Sequence, residues 1–163
     1  MKIGQNNIIE ETNSFDKSVQ IGNFNVIAGG GTFKKNAIVG NYCEVGANIF
    51  VGESSILQGR IRTAGNCRIE DNVTLKYGVI LTSDVTVKKG AFLGPNVITL
   101  GSTHERVTIH GTTIGENTYI GASTIIGPNV QIGDNIVVGA NSFVNKDITE
   151  PGIYVGTPIR KIK

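Results

Sequence analysis

Large apolar residues recur at every sixth position along most of the chain. The series comprises Ile3, Ile9, Phe15, Ile21, Ile27, Phe33, Val39, Val45, Val51, Leu57, Thr63, Ile69, Leu75, Leu81, Val87, Leu93 and Thr99. An α-helix repeats every 3.6 residues, so a step of six would scatter these side chains around a helical surface. A strand alternates every two residues, so a step of six returns each side chain to the same face. The pattern therefore predicts a succession of short strands, one in each six-residue unit.

Glycine and asparagine fill the positions between the apolar residues, as in the segments IGENTY, IGPNVQ and IGDNIV. Both residue types tolerate the left-handed backbone conformation that a sharp corner requires. The segments lack the paired turn dipeptides that return a strand in the antiparallel direction. Three units then close one triangular coil of about 18 residues, and successive coils stack in parallel about 4.8 Å apart. The sequence predicts an all-β prism of about eight coils.

The rhythm slips once, in the segment TLGSTHERV from Thr99 to Val107. The six-residue step resumes at Thr108, which predicts one ordinary unit plus three inserted residues. Both histidines, His104 and His110, lie in or just after the slip. A stack of coils needs no insertion, and loops on a rigid scaffold commonly carry binding and catalytic groups. We expect a short functional loop near residues 99–107, although a solvated surface excursion would give the same pattern.

Both ends of the chain depart from the regular pattern. Asn7 and Asn13 stand at inward positions where buried polar atoms need partners, so residues 1–14 are interpreted as an irregular cap. Residues 15–149 form the predicted coils, and residues 150–163, EPGIYVGTPIRKIK, form a short basic tail. We expect this tail to lie back along the prism or on a neighbouring subunit. With 163 residues, the chain is expected to fold as a single domain.

Composition and charge narrow the range of functions. A net charge of +2 without a run of like charges gives no support for binding to nucleic acid. The segment MKIGQNNIIEETNS lacks the apolar core of a signal peptide, and no long apolar run follows, so a cytoplasmic location without a membrane span is expected. Cys43 and Cys67 have neither metal-ligand nor redox spacing and fall on different walls of the prism. They are predicted to be two buried thiols.

The repeat, which spans nearly the whole chain, resembles the hexapeptide-repeat acyltransferase family. The resemblance implies a left-handed parallel β-helix, whereas the usual crossover preference would favour the opposite hand. It also implies a homotrimer with active sites between subunits. The segment GSTHERVTIHGTTIGENTYIG is similar to the catalytic stretch of the family's sugar acetyltransferases, and His104 stands in the place of the family histidine.

This resemblance implies transfer of an acetyl group from acetyl-CoA, without a metal and with His104 as general base. A neutral imidazole is able to remove a proton from a sugar hydroxyl or ammonium group as that group attacks the thioester. Glu105, Arg106 and His110 are the expected acceptor contacts, and His110 is also the alternative base. The planar guanidinium of Arg106 would suit a phosphate or carboxylate. Both cysteines point inward, so direct transfer is favoured over an acetyl-cysteine intermediate.

Contacts to CoA are expected in the later coils. Small residues occupy two corners there, namely Gly121, Ala122, Gly139 and Ala140. A thin pantetheine arm would fit against such corners, although corners need small residues in any case. The segments FVNKDI and YVGTPIRKIK are similar to CoA-contacting segments of the family. The similarity implies Lys146 near the CoA phosphates and Arg160 or Lys161 near the 3′-phosphate.

The acceptor class is suggested by the middle segment IEDNVTLKYGVILTSDVTVKKGAFLGPNVITLG, which resembles nucleotide-amino-sugar N-acetyltransferases of surface-polysaccharide synthesis. O-acetylation of a sugar or other small hydroxyl acceptor is the alternative, and a non-catalytic structural β-helix is the second alternative. A γ-type carbonic anhydrase shares the fold but requires three histidines around its metal. This chain has 2 histidines, so that site cannot be built.

Overall fold

The computed structural model describes residues 1–109 and 111–163. Its regular structure consists of short strands, mostly of two residues. The strands are β1 (Lys2–Ile3), β2 (Ile8–Ile9), β3 (Ser14–Phe15), β4 (Gln20–Ile21), β5 (Val26–Ile27), β6 (Thr32–Phe33), β7 (Ile38–Asn41), β8 (Glu44–Val45), β9 (Phe50–Val51), β10 (Ile56–Gly59), β11 (Arg62–Thr63), β12 (Arg68–Ile69), β13 (Thr74–Leu75), β14 (Ile80–Leu81), β15 (Thr86–Val87), β16 (Phe92–Leu93), β17 (Ile98–Thr99), β18 (Thr113–Ile114), β19 (Tyr119–Ile120), β20 (Ile125–Ile126), β21 (Gln131–Ile132), β22 (Ile136–Val138), β23 (Phe143–Val144), β24 (Gly152–Val155) and β25 (Arg160–Lys161). The predicted all-β class is confirmed.

Three sheets, here called walls 1, 2 and 3, form the sides of the prism, because every third strand joins the same sheet. Wall 1 contains β1, β4, β7, β10, β13, β16, β19, β22, β24 and β25; wall 2 contains β2, β5, β8, β11, β14, β17, β20 and β23; wall 3 contains β3, β6, β9, β12, β15, β18 and β21. Most strands pair in parallel with the strand one full coil later, as Lys2 does with Gln20. The predicted stack of about eight triangular coils is confirmed.

Asparagine at the corners and aliphatic residues in the interior define each coil. Asn48 and Asn96 adopt φ of 56° and 57°, in the left-handed region. The Asn48 N–H also donates a hydrogen bond to the Gly29 carbonyl of the preceding coil at 2.9 Å. Inward side chains such as Leu75 and Leu93 are 0% exposed. The hydrophobic column and the corner hydrogen bonds therefore stack one coil on the next.

The two cysteines belong to this interior. Cys43 and Cys67 are buried free thiols, as predicted. Burial raises the pKa of the Cys43 thiol above its ordinary value and raises that of Cys67 to about 11. The Cys67 thiol donates a hydrogen bond to the Thr82 carbonyl at 3.1 Å. Neither thiol is therefore available as a nucleophile.

The coil path already includes the first residues of the chain. β1 pairs with β4 and β2 pairs with β5, both in parallel, so the irregular conformation predicted for residues 1–14 is not observed. Asn7 lies under the fully buried Asn25, whose N–H donates to Asn7 Oδ1 at 2.8 Å. Asn25 Oδ1 in turn accepts from the Cys43 N–H at 2.7 Å. The inward amides are thus satisfied by the backbone of the next coil.

At the other end, the coil continues beyond the predicted boundary at residue 149. β24 pairs in parallel with β22, and β25 returns antiparallel to β24. The strands that follow Pro151 therefore extend wall 1. The basic tail lies against the end of wall 1.

The insertion is larger than the sequence pattern indicated. Ile69 pairs with Val87, one full coil away, whereas Val87 pairs with Ile114, one and a half coils away, so nine residues are inserted. Thr108, predicted to resume the strand series, is exposed and outside the named strands. The prediction of a three-residue insertion is wrong, because Thr108 matches the six-residue step by composition alone.

Candidate active site

The inserted residues form a hairpin at the corner between walls 2 and 3. The Leu100 N–H still donates to the Ile126 carbonyl at 2.8 Å, in the ladder of wall 2. The hairpin is then closed by the Ile109 N–H, which donates to the Gly101 carbonyl at 2.9 Å, and by an antiparallel bridge between Ser102 and Thr108. We call residues 101–109 the corner hairpin. Its backbone pairs with itself rather than with the neighbouring coil.

A three-residue turn forms the tip of the corner hairpin. The Thr103 N–H donates to the Val107 carbonyl at 2.9 Å, and the Arg106 N–H donates to the Thr103 carbonyl at 3.0 Å. Arg106 has φ of 62°, as expected for a turn that ends in a left-handed residue. Such a position favours glycine or asparagine, so arginine there costs about 1 kcal/mol. The tip therefore presents His104, Glu105 and Arg106 outward.

His104 is an exposed titratable group of this turn. Its side chain is 91% exposed, and Nε2 lies 3.9 Å from Glu105 Oε1, too far for a hydrogen bond. Thr103 Oγ1, at the base of the turn, is a buried polar atom without a partner among the described residues. His110, predicted as a substrate contact or alternative base, lies outside the described residues.

The base of the corner hairpin is fixed to wall 2 through threonines. Thr99 Oγ1 accepts a hydrogen bond from the Thr82 N–H at 2.8 Å and lies 3.0 Å from Thr82 Oγ1. Gly101 follows directly above, where a Cβ would lie 3.2 Å from Thr82 Cγ2. The hairpin therefore starts from a rigid point, although its tip is exposed.

A trough begins at Thr82 and runs along wall 2 towards the N-terminus, with a volume of about 470 Å³. We call it the wall-2 trough. Its lining includes Val26, Glu44, Gly46, Arg62, Ala64 and Thr82. Glu44 and Arg62 form an ion pair along one side of it, with Arg62 Nε and an Nη donating to Glu44 Oε2 at 2.9 and 2.8 Å. The volume lies in the range of small-molecule sites.

Sequence reasoning missed this trough. Glu44 and Arg62 are separated by one full coil, so they are neighbours only once the sequence is aligned coil by coil. Such an alignment of the outward positions would have revealed a charged pair between apolar residues of wall 2.

The small residues predicted to contact CoA lie at a different edge, the corner between walls 1 and 2. Gly121 and Ala122 stack directly beneath Gly139 and Ala140, and a Cβ at Gly121 would collide with the backbone nitrogen of Ala140. A Cβ at Gly139 would approach Val155 Cγ1 to 2.8 Å. These glycines are therefore required by close stacking of the corners.

The predicted basic contacts are also divided between edges. Lys146 is exposed and follows β23 at the corner of the hairpin, two coils further along. Arg160 pairs with Val155 at the corner of the small residues, and Lys161 Nζ forms an ion pair with Glu150 Oε2 at 3.2 Å. A single chain thus brings Arg160 close to Gly139 and Ala140 but does not bring His104 to them.

The chain is similar to a family model over part of its length and to solved structures in its fold. Residues 111–146 match the family described as bacterial transferase hexapeptide (six repeats). Among solved structures, the UDP-N-acetylglucosamine O-acyltransferase LpxA of Moraxella catarrhalis has a TM-score of 0.72 at 18% identity, with coverage of 99% of this chain and 74% of that one. The chain is a left-handed β-helix of hexapeptide repeats.

Two further structures share this β-helix. A mutant perosamine N-acetyltransferase from Caulobacter crescentus, in complex with CoA and GDP-perosamine, has a TM-score of 0.51 at 19% identity and matches 96% of this chain and 56% of that one. The acetyltransferase domain of PglB from Neisseria gonorrhoeae, in complex with acetyl coenzyme A, has a TM-score of 0.53 at 16% identity, with 96% and 58% coverage. The chain spans little more than half the length of these two proteins. No curated protein matches it in sequence.

Within residues 1–109 and 111–163, no apolar helix of bilayer-spanning length occurs. In the same part of the chain, no group of three or more His, Cys, Asp or Glu side chains is arranged to hold a metal ion.

Proposed function

We propose that the protein is an acyltransferase that moves an acetyl group from acetyl-CoA to a sugar acceptor. The observation that carries this proposal is the corner hairpin. Paired strands of wall 3 are one coil apart in sequence except β15 and β18, which are separated by nine additional residues. These additional residues include the closed turn that presents His104 to solvent. A purely structural β-helix has no use for an exposed histidine beside a carboxylate on a rigidly based hairpin.

His104 acts in this proposal as the general base. The imidazole accepts a proton from the acceptor amine or hydroxyl as its nitrogen or oxygen bonds to the thioester carbonyl carbon. The tetrahedral intermediate then breaks its C–S bond, and the imidazolium returns the proton to the departing CoA thiolate. Glu105 Oε1 lies 3.9 Å from His104 Nε2, beside the imidazole that carries this proton. Both cysteines are at most 1% exposed, which supports direct transfer without an acetyl-cysteine.

The named activities of structural relatives support the class of reaction. Two of the proteins described above were crystallised with CoA or acetyl coenzyme A, and all three are named as transferases of acetyl or acyl groups. In this chain, Lys146, Arg160 and Lys161 are the cations that would hold CoA phosphates. The corner at Gly139 and Ala140 would face the pantetheine arm.

The complete site requires a second copy of the chain in this proposal. His104 and Arg160 lie on different edges of one prism, so a neighbouring subunit would bring the two groups together. Wall 1 offers an apolar outer surface for that contact, in which Ile56, Tyr119 and Val137 are 36%, 44% and 38% exposed. A cyclic homotrimer would create three equivalent sites.

The preferred acceptor is the amino group of a nucleotide-linked amino sugar in surface-polysaccharide synthesis. O-acyl transfer is the second candidate, because the O-acyltransferase of Moraxella catarrhalis has the higher TM-score among the structures compared above. The two reactions differ in their demand on the base. An amine loses its proton to water as the pH rises, whereas a hydroxyl depends on His104 throughout.

Thiol release from acetyl-CoA tests the proposal, with a panel of nucleotide-linked amino sugars and simple hydroxyl acceptors. We expect His104→Ala to lower kcat by about 10²–10⁴-fold while CoA binding, measured by calorimetry, is unchanged. Val107→Ala, in the same hairpin, is the matched control and should retain activity. Wild-type activity in His104→Ala would exclude His104 as the general base. No thiol release with any acceptor, together with no CoA binding, would favour the structural β-helix.

A further inference from the structure

The edge between walls 1 and 2 carries bulky residues at corners that normally take small ones. Phe24, Tyr42 and Arg60 occupy the same corner of three successive coils and adopt φ of 57°, 58° and 47°. At the same corner position, the other coils have Asn6, Gly78, Asn96, Ser123 and Asn141. A left-handed conformation is unfavourable for aromatic residues and for arginine, so these three coils accept strain that asparagine would avoid. Strain of this kind concentrates at functional positions.

The side chains of Phe24, Tyr42, Arg60 and Tyr77, here called the ladder, follow one another along the surface of this edge. The rings of Phe24 and Tyr42 stack with centroids 5.1 Å apart and planes inclined by 2°. The Arg60 guanidinium lies 5.7 Å from the ring centroid of Tyr77. Phe24, Tyr42 and Tyr77 are 48%, 54% and 46% exposed. The ladder therefore offers aromatic and cationic groups to solvent instead of burying them.

A second cleft, of about 330 Å³, joins this ladder to the wall-2 trough. Tyr42 and Arg60 line it on the ladder side. Glu44, Arg62 and Ile80 line both the cleft and the trough. The two concavities therefore lie side by side and share this row of side chains; together they are called the path across wall 2. They reach from the ladder to Thr82, on which the corner hairpin is based.

The charges along the path favour a phosphate in its middle. Arg62 uses Nε and one Nη to bind Glu44, and its remaining donors face no other ion-pair partner in the described part of the chain. Arg60 adds a second guanidinium, so the three charged groups sum to a positive site. Guanidinium groups bind phosphate oxygens through paired hydrogen bonds. The Glu44 carboxylate would repel a phosphate placed next to it, but a carboxylate is also able to accept hydrogen bonds from ribose hydroxyls.

We propose that the path across wall 2 binds the nucleoside diphosphate part of the acceptor, with the base at Tyr42, the phosphates at Arg60 and Arg62, and the sugar directed along the trough towards the corner hairpin. This inference rests on the proposed function for its choice of ligand. Aromatic stacking suits any nucleobase, and the arginine pair suits a diphosphate. The strained corners are then retained because their side chains form the binding surface.

Asparagine substitutions test this inference without disturbing the fold, because asparagine already occupies equivalent corners. The variants are Tyr42→Asn, Arg60→Asn and Arg62→Ala, with Arg68→Ala as the matched control, since Arg68 also pairs with a carboxylate, Glu70, but on wall 3. Calorimetry with UDP and GDP measures binding to the full chain in the absence of CoA. We expect each of the three variants to weaken nucleotide affinity by roughly tenfold, while Arg68→Ala does not.

If the ladder serves only to stabilise the fold, the variants should change stability and not nucleotide binding. Tyr42→Asn and Arg60→Asn would then lower the melting temperature and leave nucleotide affinity unchanged, which would overturn the proposal. Failure of UDP and GDP to bind the wild-type chain, or a change of oligomeric state in Arg62→Ala, would also overturn it, the latter in favour of a subunit contact.

Different results would contradict the nucleotide-binding proposal and the proposed transferase activity. Thiol release that persists with unchanged acceptor KM in all three variants would exclude the nucleotide path but not the transferase. Nucleotide binding that depends on Arg60 and Arg62, without thiol release, would support the nucleotide path and exclude the transferase activity.

Discussion

The edge between walls 2 and 3 contains two kinds of corner, which are stabilised by different hydrogen bonds. At Asp84 the corner N–H donates to the Gly65 carbonyl of the neighbouring coil at 3.1 Å. In the corner hairpin, the Thr103 and Ile109 N–H groups donate to Val107 and Gly101 of the hairpin itself. An ordinary corner is thus part of the cooperative stack, whereas the hairpin is attached to it only at its base. Substitutions in the buried interior of the coils should change stability, whereas substitution of His104 in the hairpin should change activity with little effect on stability.

The largest effect is expected from a truncation inside the stack. Leu75→Ala removes a side chain that is 0% exposed and should lower the free energy of unfolding by about 2–5 kcal/mol, because the stacked coils cannot collapse around the cavity. Urea denaturation at fixed protein concentration measures the change. Val107→Ala, in the hairpin, should change it by no more than about 0.5 kcal/mol. Similar losses in the two variants would contradict the distinction between coil and hairpin.

The pH dependence of stability should also report on the interior of the stack. Burial raises the pKa of Cys67 from 9.0 to about 11, so the unfolded chain loses this proton at lower pH than the folded chain. The free energy of unfolding should therefore fall by about 2–3 kcal/mol as the pH rises from about 9 to 11, with the full contribution present below 9. Denaturation of the wild type and Cys67→Ala at pH 8.5 and 10.5 measures it. If the free energy of unfolding falls equally with pH in both proteins, groups other than Cys67 cause the loss of stability.

Gly121→Ala separates a packing role from a cofactor role at the corner of walls 1 and 2. The new Cβ would meet the Ala140 backbone, so we expect a loss of about 1–3 kcal/mol in unfolding free energy. Gly65→Ala is the control, since its nearest contact would be 3.4 Å, an ordinary van der Waals distance. Thermal denaturation compares the two. Unchanged stability in Gly121→Ala with weakened CoA binding would show that the corner is open and serves the cofactor alone.

Arg106→Gly is expected to change stability little, and it sharpens the test of the hairpin. Glycine suits φ of 62°, so the turn should remain closed and gain at most about 1 kcal/mol. If the guanidinium contacts the acceptor, the acceptor KM should rise while kcat is retained. Steady-state kinetics measure both, and Arg106→Asn repeats the test with another residue that tolerates this conformation. An unchanged KM in both variants would remove Arg106 from the acceptor site.

Much of the fold could be predicted because each six-residue unit repeats the same local chemistry. Leu75 and Leu93 identify the interior by their spacing alone, and Asn48 identifies a corner by its tolerance of positive φ. The interruption of the six-residue spacing located the hairpin. Its length could not be predicted, because Thr108 satisfies the spacing without lying on a wall. A one-dimensional pattern records composition at each step and not the hydrogen bonds that define the register.

The sequence by itself determined that the chain is a stack of parallel coils, that the stack is interrupted after Thr99, and that His104 lies in the interruption. Only the tertiary structure decided which residues share an edge. It separated His104 from Gly139, explained the small corner residues by backbone contact, and aligned Tyr42, Arg60 and Arg62 into one surface. The physical reason is that neighbours within a coil are fixed by the local chain, whereas neighbours between coils depend on the pairing register, which the nine inserted residues shift.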